Sequence, residues 1–234
     1  MRALHRFSFA RLLAFSVAGL LFLGGCSGAS AVEYLSNAQM HFDQADYPTA
    51  IIELKNSLQI DPELGEARLL LARARELQGQ YSDALREYER ALDLGVQDER
   101  LEPGLLHSKL RVGRYQEVIG ALDAREPLSD ELAVVLGEAY LISNDLERAE
   151  ALFQQGASRA DGMRGLGTVA WIRGDLESAS GSFSEAVLLD PQDRESWTRK
   201  AELELARGRY GEAEQSFSRV QSLPGGQLSG LMGL

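Results

Sequence analysis

The chain has 234 residues, of which 44% are hydrophobic and 7% aromatic, and its formal net charge is -11. This apolar fraction is normal for a globular protein and excludes a wholly disordered chain. The many Ala, Leu, Glu, Arg and Gln residues favour helix over sheet, because unbranched side chains lose little rotamer freedom in a helix. An acidic surface repels nucleic acid, so we expect no nucleic-acid partner, and it suits a basic protein partner.

The first 25 residues predict an export signal, which is excluded from the folded domain. Arg2, Arg6 and Arg11 precede a mostly apolar, uncharged stretch over residues 12–23. That stretch is too short for a comfortable transmembrane helix, which needs about 20 apolar residues. The three arginines account for three positive charges, so the rest of the chain carries -14.

The segment Leu23-Gly24-Gly25-Cys26 resembles the lipobox of bacterial lipoproteins. The resemblance implies that residues 1–25 are a lipoprotein signal peptide and that Cys26 is joined to diacylglycerol. Cys26 is the only cysteine, so an internal disulfide is excluded. We expect no cofactor other than this covalent lipid, which anchors the protein to the membrane.

The residues that follow Cys26 are small and predict a lipidated tether over residues 26–30. The second residue of the mature chain would be Ser27 and not aspartate. In lipoproteins of Gram-negative bacteria, the lack of aspartate at this position implies the outer membrane. We therefore expect an outer-membrane, lipid-anchored protein that faces the periplasm.

Residues 31–222 consist of one motif repeated. The hexamer that begins at Gly79 recurs 34 residues later at Gly113, and the hexamer at Gly174 recurs 34 residues later at Gly208. A further copy begins at Asn144, 31 residues after Gly113, so a short deletion falls near residues 124–127. This period and motif resemble the tetratricopeptide repeat, in which each copy is a helix-turn-helix unit.

The resemblance implies an all-α, right-handed solenoid of about six repeats, each stabilised by its neighbours. Glycine or a substitute should end each first helix. The second helices should each bury an apolar stripe at i, i+4 and i+7. The six predicted repeats cover about 31–62, 65–97, 99–127, 130–158, 160–191 and 194–222.

Residues 223–234 form a Gly-rich and apolar tail, where a solenoid would normally carry a polar capping helix. We therefore expect the chain to be the amino-terminal part of a longer array, or its last face to dock elsewhere.

The sequence of the first two repeats resembles a narrower family within the tetratricopeptide-repeat proteins. The segment 50–59, followed by Asp61-Pro62 and Glu66-Ala67-Arg68, resembles the tetratricopeptide lipoproteins of the PEP-CTERM/exosortase system of Gram-negative bacteria. The resemblance implies a scaffold in exopolysaccharide-associated envelope processes. Lipid-anchored repeat proteins that assemble type IV pili or outer-membrane proteins share part of the pattern, so this alternative stays open.

Residues that could carry catalysis do not form a recognisable constellation in the sequence, so we expect a non-enzyme. His41 and His107 lie in separate repeats without a second ligand at metal spacing, so we expect no metal site. The glycines of 162–167 superficially resemble a phosphate-binding loop, but they fall inside a predicted first helix with no preceding strand.

The predicted binding surface is the concave groove lined by first helices. The residue after each small crossing position should point into it: Gln39, Arg73, His107, Glu138, Thr168 and Glu202. A second row lies one turn further on: Phe42, Glu76, Leu110, Leu141, Trp171 and Leu205. So apolar a second row suits a helix or peptide of a partner protein. Alternatively, some of these side chains pack against the neighbouring repeat.

Overall fold

The computed structural model describes residues 29–223, and within this range the chain contains twelve α-helices and no strand. The helices are α1 (Ala31–Asp43), α2 (Tyr47–Ile60), α3 (Gly65–Leu77), α4 (Tyr81–Asp93), α5 (Leu101–Arg111), α6 (Tyr115–Leu122), α7 (Asp130–Ile142), α8 (Leu146–Gln155), α9 (Ala160–Ile172), α10 (Leu176–Leu189), α11 (Arg194–Ala206) and α12 (Tyr210–Ser222). The predicted signal peptide, Cys26 and the tail from residue 224 lie outside the described residues.

The helices form six antiparallel pairs, and each pair lies inside one predicted repeat. First helices of successive repeats pack against one another, and each second helix packs against the first helix that follows it. In the described part, no two second helices are in substantial contact. The first helices therefore form the inner, concave layer of a solenoid and the second helices its outer layer, which confirms the predicted fold class.

The turn inside each repeat uses one residue in the left-handed region. Four repeats place glycine there, as at Gly79 with φ of 73°, and the other two place Ala45 (φ 58°) and Asn144 (φ 63°). The backbone N–H groups that follow bond back to the last turn of the first helix, as Asp46 does to the carbonyl of His41 at 2.9 Å. The predicted end of each first helix at glycine or a substitute is confirmed.

Aspartates and serines cap several helices. Ser30 and Glu33 form a reciprocal capping box at the start of α1, with bonds of 3.2 and 2.6 Å. Asp46, Asp145 and Asp175 occupy the same position in three repeats, and each accepts a bond from a backbone N–H three residues on. The capping residue of the second helix is thus part of the repeated hexamer.

The predicted stripes of the second helices form the core. Tyr88, Phe153 and Phe183 are at most 1% exposed, and the alanines four residues before them are fully buried. Phe217 is the exception, because it is only partly buried. The third repeat also differs, because its second helix α6 has eight residues and ends before the predicted deletion.

Glycines let the first helix of the fifth repeat pack closely on both neighbours. A Cβ at Gly165 would lie 2.5 Å from Cε1 of Phe153, and one at Gly167 would lie 2.6 Å from Cε1 of Phe183. The glycine-rich segment that resembles a phosphate loop is therefore explained by helix packing. None of the helices between residues 29 and 223 is long and apolar enough to cross a membrane.

Candidate functional site

A cleft of about 630 Å³ lies on the concave face and is shared by five repeats. This space is the concave cleft. The inner helices α3, α5, α7, α9 and α11 supply most of its walls, because successive first helices lie side by side in the inner layer. Its charged lining is Arg73, Glu76, Arg100, His107, Glu131, Glu138, Arg159, Asp161, Arg164, Asp190, Asp193 and Glu195.

Glu76 anchors one end of the cleft. Tyr88, which is 1% exposed, donates a hydrogen bond of 2.5 Å to Oε2 of Glu76. Nδ1 of His107 lies 2.5 Å from Oε1 of the same carboxylate. Burial lowers the pKa of His107, but the hydrogen bond to Glu76 and the charges of Glu138 and Glu76 outweigh it, so the pKa is raised above 6.5.

Arg111 connects this cluster to the opposite wall. Its Nε donates to Nε2 of His107 at 3.1 Å, and its Nη2 donates to Oε2 of Glu195 at 2.9 Å. The guanidinium also lies 5.7 Å from the centre of the Tyr81 ring. Burial raises the pKa of Glu195, but the charges of Arg164 and Arg111 more than offset it and hold the pKa below its ordinary value.

Arg164 lies at the floor of the cleft, and its side chain is 11% exposed. It donates to Oδ2 of Asp193 at 2.6 Å, and it lies 3.6 Å from Glu138 and 3.7 Å from Glu195. A buried guanidinium needs such partners, because an unpaired charge there would be costly. The ion pairs thus join α5, α7, α9 and α11 into one charged surface.

The first predicted row lies partly in the cleft. Arg73, His107 and Glu138 line it, as does Glu76 of the second row. The other three members of the first row lie outside its lining. Gln39 donates to Asp43, Thr168 donates to the carbonyl of Arg164, and Glu202 accepts from Arg199.

The apolar members of the second row do not line the concave cleft. Leu110 is 4% exposed and belongs to the core, and Leu141 packs against the same cluster. Trp171 packs on Phe183 with ring centres 6.2 Å apart. These side chains point to the neighbouring helices, as the alternative interpretation held.

Two further members of the second row also lie outside the cleft lining. The ring of Phe42 packs against Tyr47 at 5.4 Å and under the guanidinium of Arg73 at 4.8 Å. Leu205 is 49% exposed at the end of α11. The lining of the cleft is therefore mainly charged, and Pro103, Val134, Val135 and Leu189 add apolar surface to it.

Sequence reasoning missed Arg111, Arg164 and Glu195. Arg164 lies four residues before Thr168, and Glu195 lies seven residues before Glu202, so both share a helical face with the predicted row. Extending that row towards the amino termini of the first helices would have found Arg164 and Glu195, and extending it one turn beyond His107 would have found Arg111.

Other sites are less developed. A second cleft of about 660 Å³ opens beside the short helix α6, where Tyr140 bonds to Arg148 at 2.7 Å. Between residues 29 and 223, no three His, Cys, Asp or Glu side chains are arranged to hold a metal ion.

Two parts of the chain match known family models. Residues 41–105 match one model described as tetratricopeptide repeat, and residues 164–226 match another with the same description. With six helix pairs in a solenoid, the chain is therefore a tetratricopeptide-repeat protein. No curated protein sequence matches it significantly.

Solved structures share the fold at low sequence identity. A chain of the APC/C hetero-tetramer Cut9-Hcn1 matches 82% of this chain with a TM-score of 0.63 and 18% identity. PilW, a type IV pilus biogenesis factor, matches 86% with a TM-score of 0.57 and 15% identity. The human IFIT1 dimer with m7Gppp-AAAA matches 86% with a TM-score of 0.66 and 15% identity. The matched region spans 40% of the Cut9-Hcn1 chain, 52% of the IFIT1 chain and 98% of the PilW chain.

Proposed function

We propose that this chain is a lipid-anchored scaffold of the bacterial envelope that binds a segment of a partner protein in the concave cleft. The observation that carries the proposal is the cleft itself, in which side chains from five repeats converge on one space of about 630 Å³. Concave solenoid surfaces serve as extended binding faces, and tetratricopeptide repeats are typical of protein-interaction scaffolds without catalysis.

The charge of the cleft indicates what kind of segment it takes. Seven carboxylates line it against four guanidiniums and one imidazole. Glu131 and Glu138 approach arginines only at 3.7 and 3.6 Å, and Asp190 accepts a bond from a backbone N–H. A partner segment with Lys or Arg complements this surface, whereas nucleic acid is repelled.

The cellular location of the scaffold is proposed from the amino-acid sequence. The lipobox at Cys26 supports a covalent lipid anchor, and Ser27 in place of aspartate supports the periplasmic face of the outer membrane. Two or more acyl chains hold a protein durably at a membrane, which keeps the scaffold in the envelope.

The pathway we propose is exopolysaccharide and PEP-CTERM/exosortase-associated envelope assembly, because segment 50–68 resembles the lipoproteins of that system. The alternative is an assembly lipoprotein for type IV pili or outer-membrane proteins. One observation supports it: the fold shared with PilW, a type IV pilus biogenesis factor, extends over 98% of that chain.

The anchor is tested by feeding cells a clickable fatty acid. The wild-type chain should carry the label and fractionate with outer membranes, and Cys26→Ala should lose both properties. Ser27→Ala is the matched control, because it changes a neighbouring small residue and leaves the thiol. A label that persists in Cys26→Ala would contradict lipidation at this residue.

The partner is tested by site-specific photo-crosslinking in living cells. A photoreactive residue at Asp190, in the cleft, should capture a partner protein, whereas the same residue at Glu185, exposed on α10, should not. Exopolysaccharide or exosortase proteins would support the main proposal, and pilus or porin-assembly proteins would support the alternative. Equal capture from both positions would contradict the cleft as the binding site.

A further inference from the structure

The ion pair between Arg111 and Glu195 joins repeats that are not neighbours. Arg111 is the last residue of α5 in the third repeat, and Glu195 lies in the first turn of α11 in the sixth. They are 84 residues apart in sequence. All substantial helix contacts in the described part lie within one repeat or between consecutive repeats, as expected of a solenoid. This pair therefore bridges the concave face between the third and sixth repeats, beside the cleft that His107 and Glu195 line.

The pair can open at low cost. Both side chains are partly exposed, Arg111 by 30% and Glu195 by 37%, and such ion pairs contribute little net stability. When they separate, neither charge is left alone. Arg111 keeps its contact with the Tyr81 ring and, while the His107 ring is neutral, its bond to Nε2 of His107, and Glu195 keeps Arg164 at 3.7 Å.

The surroundings of the pair favour replacement of the arginine. Arg111 brings a guanidinium to a surface on which carboxylates outnumber cations. A Lys or Arg side chain of a partner protein can make the same charge-assisted bond to Glu195. It can also reach Glu138, which no cation contacts within 3.5 Å in the described part. An anionic side chain aimed at Arg111 would instead approach these carboxylates and be repelled.

We propose that the Arg111–Glu195 pair is a latch across the concave face, and that a cationic segment of the partner opens it by replacing Arg111 at Glu195. The latch itself rests on the ion pair that joins the third and sixth repeats. Its release by a cationic segment rests on the proposed function of the cleft as a binding site.

The latch is tested by measuring a distance across the solenoid. Spin labels at Ser82→Cys on α4 and Ser218→Cys on α12 report on the second and sixth repeats, in the full chain with Cys26→Ala so that no other thiol is present. Arg111→Gln and Glu195→Gln should each broaden the distance distribution towards longer values, as should 1 M salt in the parent chain. Arg173→Gln is the matched control, because it breaks a pair of 2.5 Å with Glu150 between α8 and α9.

Circular dichroism melts of all variants establish that they are folded. If neither latch variant changes the distance distribution while the control behaves as the parent, the latch is overturned.

The cationic release is tested with hexalysine and hexaglutamate as probes. Both latch variants open the same pair, but only Arg111→Gln keeps the Glu195 carboxylate. Hexalysine should bind Arg111→Gln about fivefold more tightly than the parent chain, and Glu195→Gln no more tightly, while hexaglutamate should not bind.

Equal tightening in both variants, or a preference for hexaglutamate, would overturn the replacement of Arg111 by a cation and leave the distance result standing. Equal crosslinking at Asp190 and Glu185 would instead contradict the proposed function, and the distance measurement would still decide the latch.

Discussion

Tyr88 donates a hydrogen bond of 2.5 Å to Glu76, so the outer helix of the second repeat supports a carboxylate of the concave cleft. The Tyr88 ring is 1% exposed, and burial together with the Glu76 charge raises the pKa of the phenol. The same carboxylate contacts His107 of the third repeat. Core packing and the charged cleft are therefore coupled through one side chain.

Tyr88→Phe should lower the free energy of unfolding by about 2 kcal/mol, because a partly buried carboxylate loses its donor while the ring packing is kept. Urea denaturation would measure the change. Tyr210→Phe is the control, because that ring is 71% exposed and its variant should match the parent. An unaltered midpoint for Tyr88→Phe would mean that the bond contributes nothing to stability.

Gly165→Ala should destabilise the fold by about 1 to 3 kcal/mol, because the added methyl would lie 2.5 Å from Cε1 of the buried Phe153 ring. Gly181→Ala on α10 should instead be neutral or stabilise by up to about 1 kcal/mol, since a Cβ there meets nothing within 4 Å and alanine favours helix. Thermal unfolding of the two variants compares them directly. Equal effects would contradict the close packing of α9.

Ala45→Gly should stabilise the protein by about 0.5 to 1 kcal/mol. Ala45 has a φ of 58°, a region that costs an L-residue about 1 to 2 kcal/mol, and four other repeats place glycine there. The greater freedom of glycine in the unfolded chain offsets part of the gain. Ala151→Gly, exposed within α8, is the control and should destabilise by about 1 kcal/mol. A lower melting temperature for Ala45→Gly would contradict the strain at this turn.

The sequence predicts the repeats well, because each repeat carries its own turn and apolar stripe. Gly79 and Phe153 occupy the turn and core positions that the period assigns to them. The lining of the cleft was harder to predict. Leu110 and Leu141 are apolar because they pack on the adjacent helices, so their hydrophobicity marked the core and not the groove.

The contact between Arg111 and Glu195 could not be predicted from any one repeat. It depends on the curvature of the solenoid, which accumulates from small rotations between consecutive repeats. The spacing of the hexamers predicts the three-residue deletion in the third repeat. It does not predict how this deletion changes the curvature of the solenoid. The helices and turns that carry the site residues can be predicted from the sequence of each repeat. The contact between Arg111 and Glu195 depends on the assembled solenoid.

His107 should make the protein more stable at mildly acidic pH than a variant without an ionisable group there. The pKa of His107 in the folded protein is raised above 6.5, because the bond to Glu76 and the charges of Glu138 and Glu76 outweigh burial. A raised pKa means that the folded state binds the proton more tightly than the unfolded state. The extra stability is therefore fully present below pH 6.5 and is lost as the pH rises through the folded pKa.

The difference in unfolding free energy between the parent chain and His107→Gln should accordingly be larger at pH 5.5 than at pH 8.5. Direct titration of the imidazole by NMR checks the cause, and Glu76→Gln should lower the pKa of His107 because it replaces a charged hydrogen-bond acceptor with a neutral one. A titration of His107 below pH 6.5 in the parent chain would contradict this account. Above its pKa the neutral ring accepts from Arg111 through Nε2, whereas the protonated ring cannot, so the same titration reports when Arg111 loses this partner.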